Sequence, residues 1–356
     1  MTQVPPCPHF PECGGCQLQQ LDDAEYAAWI EGHVRGALEG QGLAAEVRPA
    51  YLSPPRTRRR AALKAVSTAR GALIGFTQAR THQVVDMHAC FVLTPTLFAL
   101  VAPLRGLLSR LPKWRGLAVV TMTEAEQGID LLLRSIDASR YDTQSALIEF
   151  AAEHRLARLA IDGGAGAEDL WVPDPVTVRL GSASVPLPHG AFLQATRDGE
   201  DALAAGVEKA LTGAGRVTDL FAGLGTFALR LGERARYAAE SDVSASAALE
   251  QASRRVSQPF RVERRDLYRR PLTAKELGAF DGVVLDPPRS GAQMQVAEMA
   301  GASLSRVAYV SCNPVSFARD AAALVAGGYR LAWVQPIGQF RWSRHVELVA
   351  GFTREG

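Results

Sequence analysis

Features that would mark a membrane-spanning or secreted chain are missing. No stretch reaches the roughly 18 consecutive apolar residues of a spanning helix, although 47% of the 356 residues are hydrophobic. Residues 1–10 lack a basic segment followed by an apolar one, so no secretory leader is expected and a cytoplasmic location is. Only five cysteines occur. In a reducing compartment so few suggest metal binding or catalysis rather than disulfides. Internal repeats and low-complexity tracts are absent too, and the length leaves room for two or three domains with buried cores.

Acidic residues are absent between Glu46 and Asp86. That interval carries Arg48, Arg56, Arg58, Arg59, Arg60, Lys64, Arg70 and Arg80. The net charge of +2 hides this local excess. A solvated face would account for it, and so would a surface that binds phosphates.

What is present divides the chain into three intervals. Residues 1–46 hold Cys7-x5-Cys13-Gly14-Gly15-Cys16, then a helix from Asp22 or Asp23 to Glu39, stopped by Gly40 and Gly42. Residues 47–187 read as an α+β unit, with strands expected at 61–67, 73–78, 117–123 and 129–135 and helices over 94–111 and 139–154. From 188 to 356, β-prone runs alternate with helices, which implies a doubly wound, mostly parallel sheet. Helices are expected after Gly225 to about Arg234, over 243–256, up to about Leu304 and over 315–326. The last two runs, 329–335 and 346–352, have no helix between them and should form an antiparallel arm.

Cys7, Cys13 and Cys16 need a fourth partner, and Cys90 is the candidate outside the C-terminal motifs. Four thiolates suit either zinc or an iron–sulfur cluster, and spacing does not separate the two. His9 and His88 are possible substitutes. Gly14 and Gly15 are expected to let the arm fold tightly.

The third interval carries the chemistry. Its first strand ends Asp219-Leu220-Phe221-Ala222-Gly223-Leu224-Gly225-Thr226, with glycines that allow close backbone approach but no third glycine spaced for a pyrophosphate. Glu240, at the end of the second strand, could hold ribose hydroxyls. Asp266 follows the third strand, and the stiff turn Asp286-Pro287-Pro288-Arg289 follows the fourth. Ser311-Cys312-Asn313-Pro314 joins the fifth strand to a helix, whose positive end would favour the Cys312 thiolate. Together these point to S-adenosylmethionine and a class I methyltransferase fold rather than a nicotinamide enzyme.

With the cysteine arm, Asp286-Pro-Pro-Arg289 and Ser311-Cys-Asn-Pro314 in one chain, the sequence resembles the RNA 5-methyluridine (uracil-C5) methyltransferase family over nearly its whole length. The resemblance implies a Rossmann-like class I catalytic domain, an α+β central domain and an N-terminal iron–sulfur arm. A [4Fe-4S] cluster would fall on Cys7, Cys13, Cys16 and Cys90. Contacts to S-adenosyl-L-methionine would come from Gln194, Phe221, Thr226, Glu240, Asp266 and Asp286. Cys312 matches the nucleophile, and Glu347, in His345-Val346-Glu347, the general base. RNA contacts are then expected from the arm and from Arg56, Arg58, Arg59, Arg60 and Lys64. Thr196 and Ala222 depart from the commoner Asn and Cys of the family. The chain resembles the short branch without the oligonucleotide-binding TRAM barrel, so 23S ribosomal RNA is expected ahead of tRNA, methylated by a monomer. Two other readings are an exocyclic-amine methyltransferase and a non-catalytic iron–sulfur RNA-binding protein. Arg289 in the aromatic place of the Asp-Pro-Pro turn opposes the first, and the Cys312–Glu347 pair opposes both.

Overall fold

Tyr26, Ile30, Val34 and Leu38 recur every four residues, which makes one apolar stripe on a helix. In the computed structural model, which describes residues 3–354, that helix is Asp23–Glu39. Asp22 and Glu25 start it with a capping box. All four stripe residues are buried, in a core shared with the large sheet. Each contributes about 2 kcal/mol by burial of apolar area.

The large sheet has nine strands. Eight run in the order Glu46–Val47, Arg330–Gly338, Glu347–Thr353, Arg306–Ser311, Gly282–Leu285, Val217–Leu220, Ala235–Glu240, Arg261–Arg264, and Tyr51–Leu52 also pairs with Arg330–Gly338. The strands from Arg306–Ser311 across to Arg261–Arg264 pair in parallel. Val217–Leu220 and Gly282–Leu285 are buried throughout, as strands covered on both faces must be. Glu347–Thr353 runs antiparallel to both its neighbours, the arm that the sequence implied. One core fills each face of the sheet.

A second sheet takes the order Gly71–Gly75, Arg60–Thr68, Ala118–Ala125, Gly128–Arg134, Arg158–Asp162, Ala167–Trp171. Helices Pro95–Arg110 and Tyr141–Glu153 cover it.

The chain departs from its expected intervals at both junctions. Residues 46–52 supply edge strands to the large sheet. The hairpin Thr177–Leu180 and Ala183–Pro186 buries Val178, Leu180 and Val185 in the large sheet's core, not in the central one. The outer ends of the first and last intervals, residues 1–2 and 355–356, lie outside the described residues.

Local differences have local causes. The helix expected after Gly225 is a string of turns, with only a short 3-10 turn at Gly232–Arg234. Gly223 and Gly225 have φ of 54° and 91°, outside the right-handed helical region. A Cβ on Gly225 would lie 2.3 Å from Leu249 Cδ1. The helix Arg197–Ala210 was not expected, although Thr196 caps it by accepting from the Gly199 amide (3.0 Å). The strand Arg158–Asp162 was hidden by an apolar pattern that continues from the preceding helix. The chain breaks that pattern at Arg155, with φ 49°, and buries Arg158 against Asp130 (2.8 and 3.0 Å).

Candidate active site

The parallel strands end together, and the segments leaving them line a cavity of about 630 Å³. Crevices at the carboxyl edge of such sheets are their usual ligand sites. Gln194, Phe221, Thr226, Glu240 and Asp286 line it, and so do Cys312 and Glu347.

Strand register brings the last two together. Ser311 faces Leu348 across the antiparallel pair, so Cys312 and Glu347 stand opposite each other one step further. The turn at Cys312 is fixed by short polar bonds. The Asn313 amide donates to Ser311 Oγ (3.1 Å), Asn313 Oδ1 accepts from the Val315 amide (3.1 Å), and Asn313 Nδ2 donates to the Arg289 carbonyl (3.0 Å). Asn313 thereby caps the helix Pro314–Ala326.

Burial pushes the Cys312 thiol up to about 11, helped by Glu347 and Asp286 and opposed by Arg289. The surroundings of the thiol therefore oppose the thiolate that the helix end was expected to favour. A helix terminus is worth at most about 2 kcal/mol, and here desolvation beside two carboxyls outweighs it. The same forces act on the acids. Burial and Asp286 hold the Glu347 carboxyl well above its ordinary range. Burial and then Glu240 raise Asp286 to about 7. Asp219, beneath the cavity, is raised to about 8 mainly by burial. Its Oδ2 accepts from the Ala228 amide (2.8 Å), while its Oδ1 has no partner among the described residues.

A pair of glutamines reaches Asp286. Gln194 Nε2 donates to Asp286 Oδ2 (3.4 Å), Gln339 Nε2 donates to Gln194 Oε1 (2.6 Å), and Gln339 Oε1 accepts from the Ala195 amide (2.9 Å). Glu240 accepts from the amides of Gly223 (2.8 Å), Ser241 (2.7 Å) and Asp242 (2.8 Å), which fixes its carboxylate at the cavity wall. Phe221 holds a left-handed φ of 62° and packs on Tyr268 at 5.6 Å between ring centroids.

Asp266 is not brought to the cavity. It is exposed and caps its own turn, accepting from the Tyr268 amide (2.9 Å). Tyr268, two residues on, lines the wall instead, and its hydroxyl meets Ser290 Oγ (2.7 Å) across the opening. Sequence reasoning missed it; an aromatic just beyond the third strand was the available signal.

The basic residues separate. Arg58 lines the cavity, with its guanidinium 5.4 Å from the Phe340 ring and 5.9 Å from Phe76. Arg56 is exposed near Phe91. Arg59 is 3% exposed and ion-paired to the buried Glu200 (2.5 Å), so the expected RNA contact is instead a buried strut. Arg60 packs toward Phe192. Lys64 sits mid-strand, in register with Gly75 and Val119, and does not line the cavity. His345 Nδ1 meets Arg289 at 2.7 Å, and burial with Arg289 and Arg58 holds its pKa below the ordinary value.

Cys7, Cys13, Cys16 and Cys90 line one separate cavity with Phe76, Met87 and Val92. Burial pushes the Cys16 thiol up to about 12 and raises Cys13 and Cys90. Neutral thiols in an apolar pocket leave a thiolate set that only bound cations would stabilise. Among the described residues, no three metal-ligating side chains converge on a single ion. His9 Nε2 is occupied by the amides of His88 (3.0 Å) and Ala89 (3.2 Å). Gly14 and Gly15 serve close approach: a Cβ there would lie 2.5 Å from the Thr77 carbonyl or 3.0 Å from the Phe76 ring.

Comparison with known proteins bears on this geometry. A family model described as tRNA (uracil-5-)-methyltransferase matches residues 257–354. An RNA methyltransferase of Zymomonas mobilis is 45% identical, over 98% of this chain and 89% of its own. A 23S rRNA (uracil(1939)-C(5))-methyltransferase of Aeromonas salmonicida is 32% identical, over 99% of this chain and 82% of its own. Among solved structures, the tRNA (uracil-54, C5)-methyltransferase of Pyrococcus abyssi in complex with S-adenosyl-L-homocysteine superposes with a TM-score of 0.75 at 22% identity. That match covers 98% of this chain and 86% of the other, and establishes a shared fold.

Proposed function

Because the chain belongs to the RNA (uracil-C5) methyltransferase family, we propose that it methylates C5 of a uridine in 23S ribosomal RNA, using S-adenosylmethionine. The observation that carries this reading is the opposition of Cys312 and Glu347 at adjacent strand ends, inside one cavity with Asp286. The rRNA substrate rests on the 32% identical relative.

S-adenosylmethionine supplies an electrophilic methyl group on a sulfonium, whose positive charge would offset the buried carboxyls of the cavity. Gln194, Phe221, Thr226, Glu240 and Asp286 are the residues that would hold it, with Tyr268 added from the structure. Glu240, already oriented by three amides, suits ribose hydroxyls. Uracil C5 is too weak a nucleophile alone. Cys312 gives up its thiol proton as its sulfur adds to C6, which makes C5 enolate-like; C5 then takes the methyl group, and the sulfonium departs as the neutral thioether S-adenosylhomocysteine. Glu347 removes the C5 proton, and the electron pair of that C–H bond expels Cys312 as the C6–S bond breaks. Glu347 suits this role because burial gives its carboxyl the raised proton affinity of a working base. The reacting uridine must leave its stack to reach the cavity.

The four N-terminal cysteines are proposed to hold a [4Fe-4S] cluster. A cluster needs several thiolates around one cavity, and the four thiols lining a single apolar cavity supply that donor set.

The test uses 23S rRNA carrying 5-fluorouridine, whose C5 fluorine cannot leave as a proton does. A covalent protein–RNA adduct should form with S-adenosylmethionine and vanish in Cys312→Ala. An adduct that persists in that variant would remove Cys312 from the reaction.

A further inference from the structure

Arg60 lies on the strand Arg60–Thr68 with its guanidinium 6.0 Å from the ring of Phe192. Its Nε is buried without a partner, and among the described residues its guanidinium makes one hydrogen bond, from Nη2 to the Gly190 carbonyl (3.3 Å). Among the described residues no carboxylate lies within ion-pair distance of it. Arg134, from the strand Gly128–Arg134, reaches the same place: a Cβ on Gly190 would lie 2.9 Å from Arg134 Nη2. Asp162 meets Arg134 Nε at 3.3 Å, so one acid faces two guanidiniums. Burial together with Arg58 and Arg134 lowers the proton affinity of Arg60, as expected for like charges crowded without a counterion. In front of them Phe192 is 58% exposed and lines the cavity that holds Cys312.

Crowded guanidiniums with free N–H groups are costly unless an anion completes them. We propose that Arg60 and Arg134, set behind Phe192, form a seat for a backbone phosphodiester of the bound RNA. The inference rests on the RNA reading above and deepens it. Two guanidiniums can meet both non-bridging oxygens of one phosphate, while the exposed ring beside them takes the face of a neighbouring base. Gly190 keeps the seat open, since a side chain there would collide with Arg134. The seat explains why Arg60 is left without a carboxylate, whereas its neighbour Arg59 is paired with Glu200. It also brings in Arg134, which lies outside the basic interval of the sequence.

The test is binding of a labelled single-stranded oligouridylate across a salt series, with methyl transfer to 23S rRNA measured in parallel. Arg60→Gln and Arg134→Gln should each weaken binding about tenfold and flatten the log–log salt slope by about 0.7. Arg60→Lys keeps the charge and should restore the slope, which separates the seat from a folding defect. Arg330→Gln, exposed at the opposite end of the large sheet, should change neither quantity. Altered slopes without methyl transfer by any form would remove the uridine reading and keep the seat. Wild-type slope and affinity in both glutamine variants, with methyl transfer intact, would overturn the seat alone. Salt-independent binding by the unaltered chain would overturn it as well.

Discussion

A cysteine proposed as nucleophile that nevertheless resists alkylation is an unusual expectation, and it follows directly from the surroundings of Cys312. Its thiol is raised from 9.0 to about 11. At pH 8 that leaves about one molecule in a thousand as thiolate, against about one in ten for an unshifted thiol, a hundredfold difference. A more basic thiolate is intrinsically more nucleophilic; a Brønsted slope of about 0.4–0.5 returns roughly tenfold for the rise of two pKa units. The net expectation is alkylation about tenfold slower than that of a free cysteine peptide. The assay is timed exposure of the ligand-free protein to iodoacetamide, with Cys312 followed in its own peptide by mass spectrometry. Between pH 7 and 10 the rate should climb about tenfold per unit without levelling. Glu347→Gln removes the leading charge that raises the thiol, so it should speed the reaction. Alkylation as fast as the free peptide, or a plateau below pH 9, would mean that the helix terminus governs the thiol and that the burial argument is wrong.

Glu347→Gln should complete methyl transfer yet retain the methylated RNA as a covalent adduct, with turnover lowered about a hundred- to ten-thousandfold; radiolabel that stays with the protein in a denaturing gel checks this, and ordinary turnover would remove Glu347 from the mechanism. The melting temperature of the ligand-free chain should be higher at pH 5.5 than at pH 8.5. The folded values of Asp219 (about 8) and Asp286 (about 7) lie above the unfolded value of about 3.9. The folded state therefore binds the extra protons above about pH 4, and stability falls steadily as pH rises, levelling off near 7 to 8. Between pH 5.5 and 8.5 Asp219 accounts for at most about 3 kcal/mol, and Asp286, which borders the open cavity, contributes less. Asp219→Asn should flatten the difference, and a melting point independent of pH would refute the assignment. The cysteine arm should bind iron and absorb broadly near ~400 nm, and Cys16→Ser should abolish the band; a colourless active protein with stoichiometric zinc would overturn the cluster.

Motifs anchored to strand ends were the most legible part of the chain. Asp286, Cys312 and Glu347 could be located because a strand fixes where the residues at its ends stand, and neighbouring strands of one sheet end side by side. The capping box at Asp22 and Glu25 was equally readable, since its partners are three residues apart. Properties set by three-dimensional surroundings were not. The local context of Cys312 suggested a thiolate, but Glu347, thirty-five residues later, contributes to the opposite outcome. Arg59 and Arg60 are neighbours with one composition, and only the fold decides that one meets Glu200 and the other meets Gly190. Tyr268 rather than Asp266 lines the cavity because a turn of a few residues chooses which side chain faces it. The strands at 46–52 are two residues each, too short for any periodicity to show.

The segment Gln339–Ser343 carries Phe340 to the cavity wall, and, besides the bonds of Gln339 to residues 194 and 195, it is held by residues from the other end of the chain. The amides of Gln17 and Leu18 donate to the Trp342 carbonyl (2.8 and 2.9 Å), Tyr26 Oη donates to the carbonyls of Phe340 and Ser343 (3.1 Å each), and Arg341 pairs with Asp23. Trp342 itself packs with Cys16 and Val92. More than 300 residues separate the hydrogen-bonded partners. During synthesis the early segment must therefore wait, with the apolar stripe of its helix uncovered, until the late one leaves the ribosome. Contacts this distant in sequence form slowly, because the closure entropy comes before any of their enthalpy. The cavity is consequently one of the last parts of the molecule to be finished, and no partly made chain can hold Phe340 at its wall in this way.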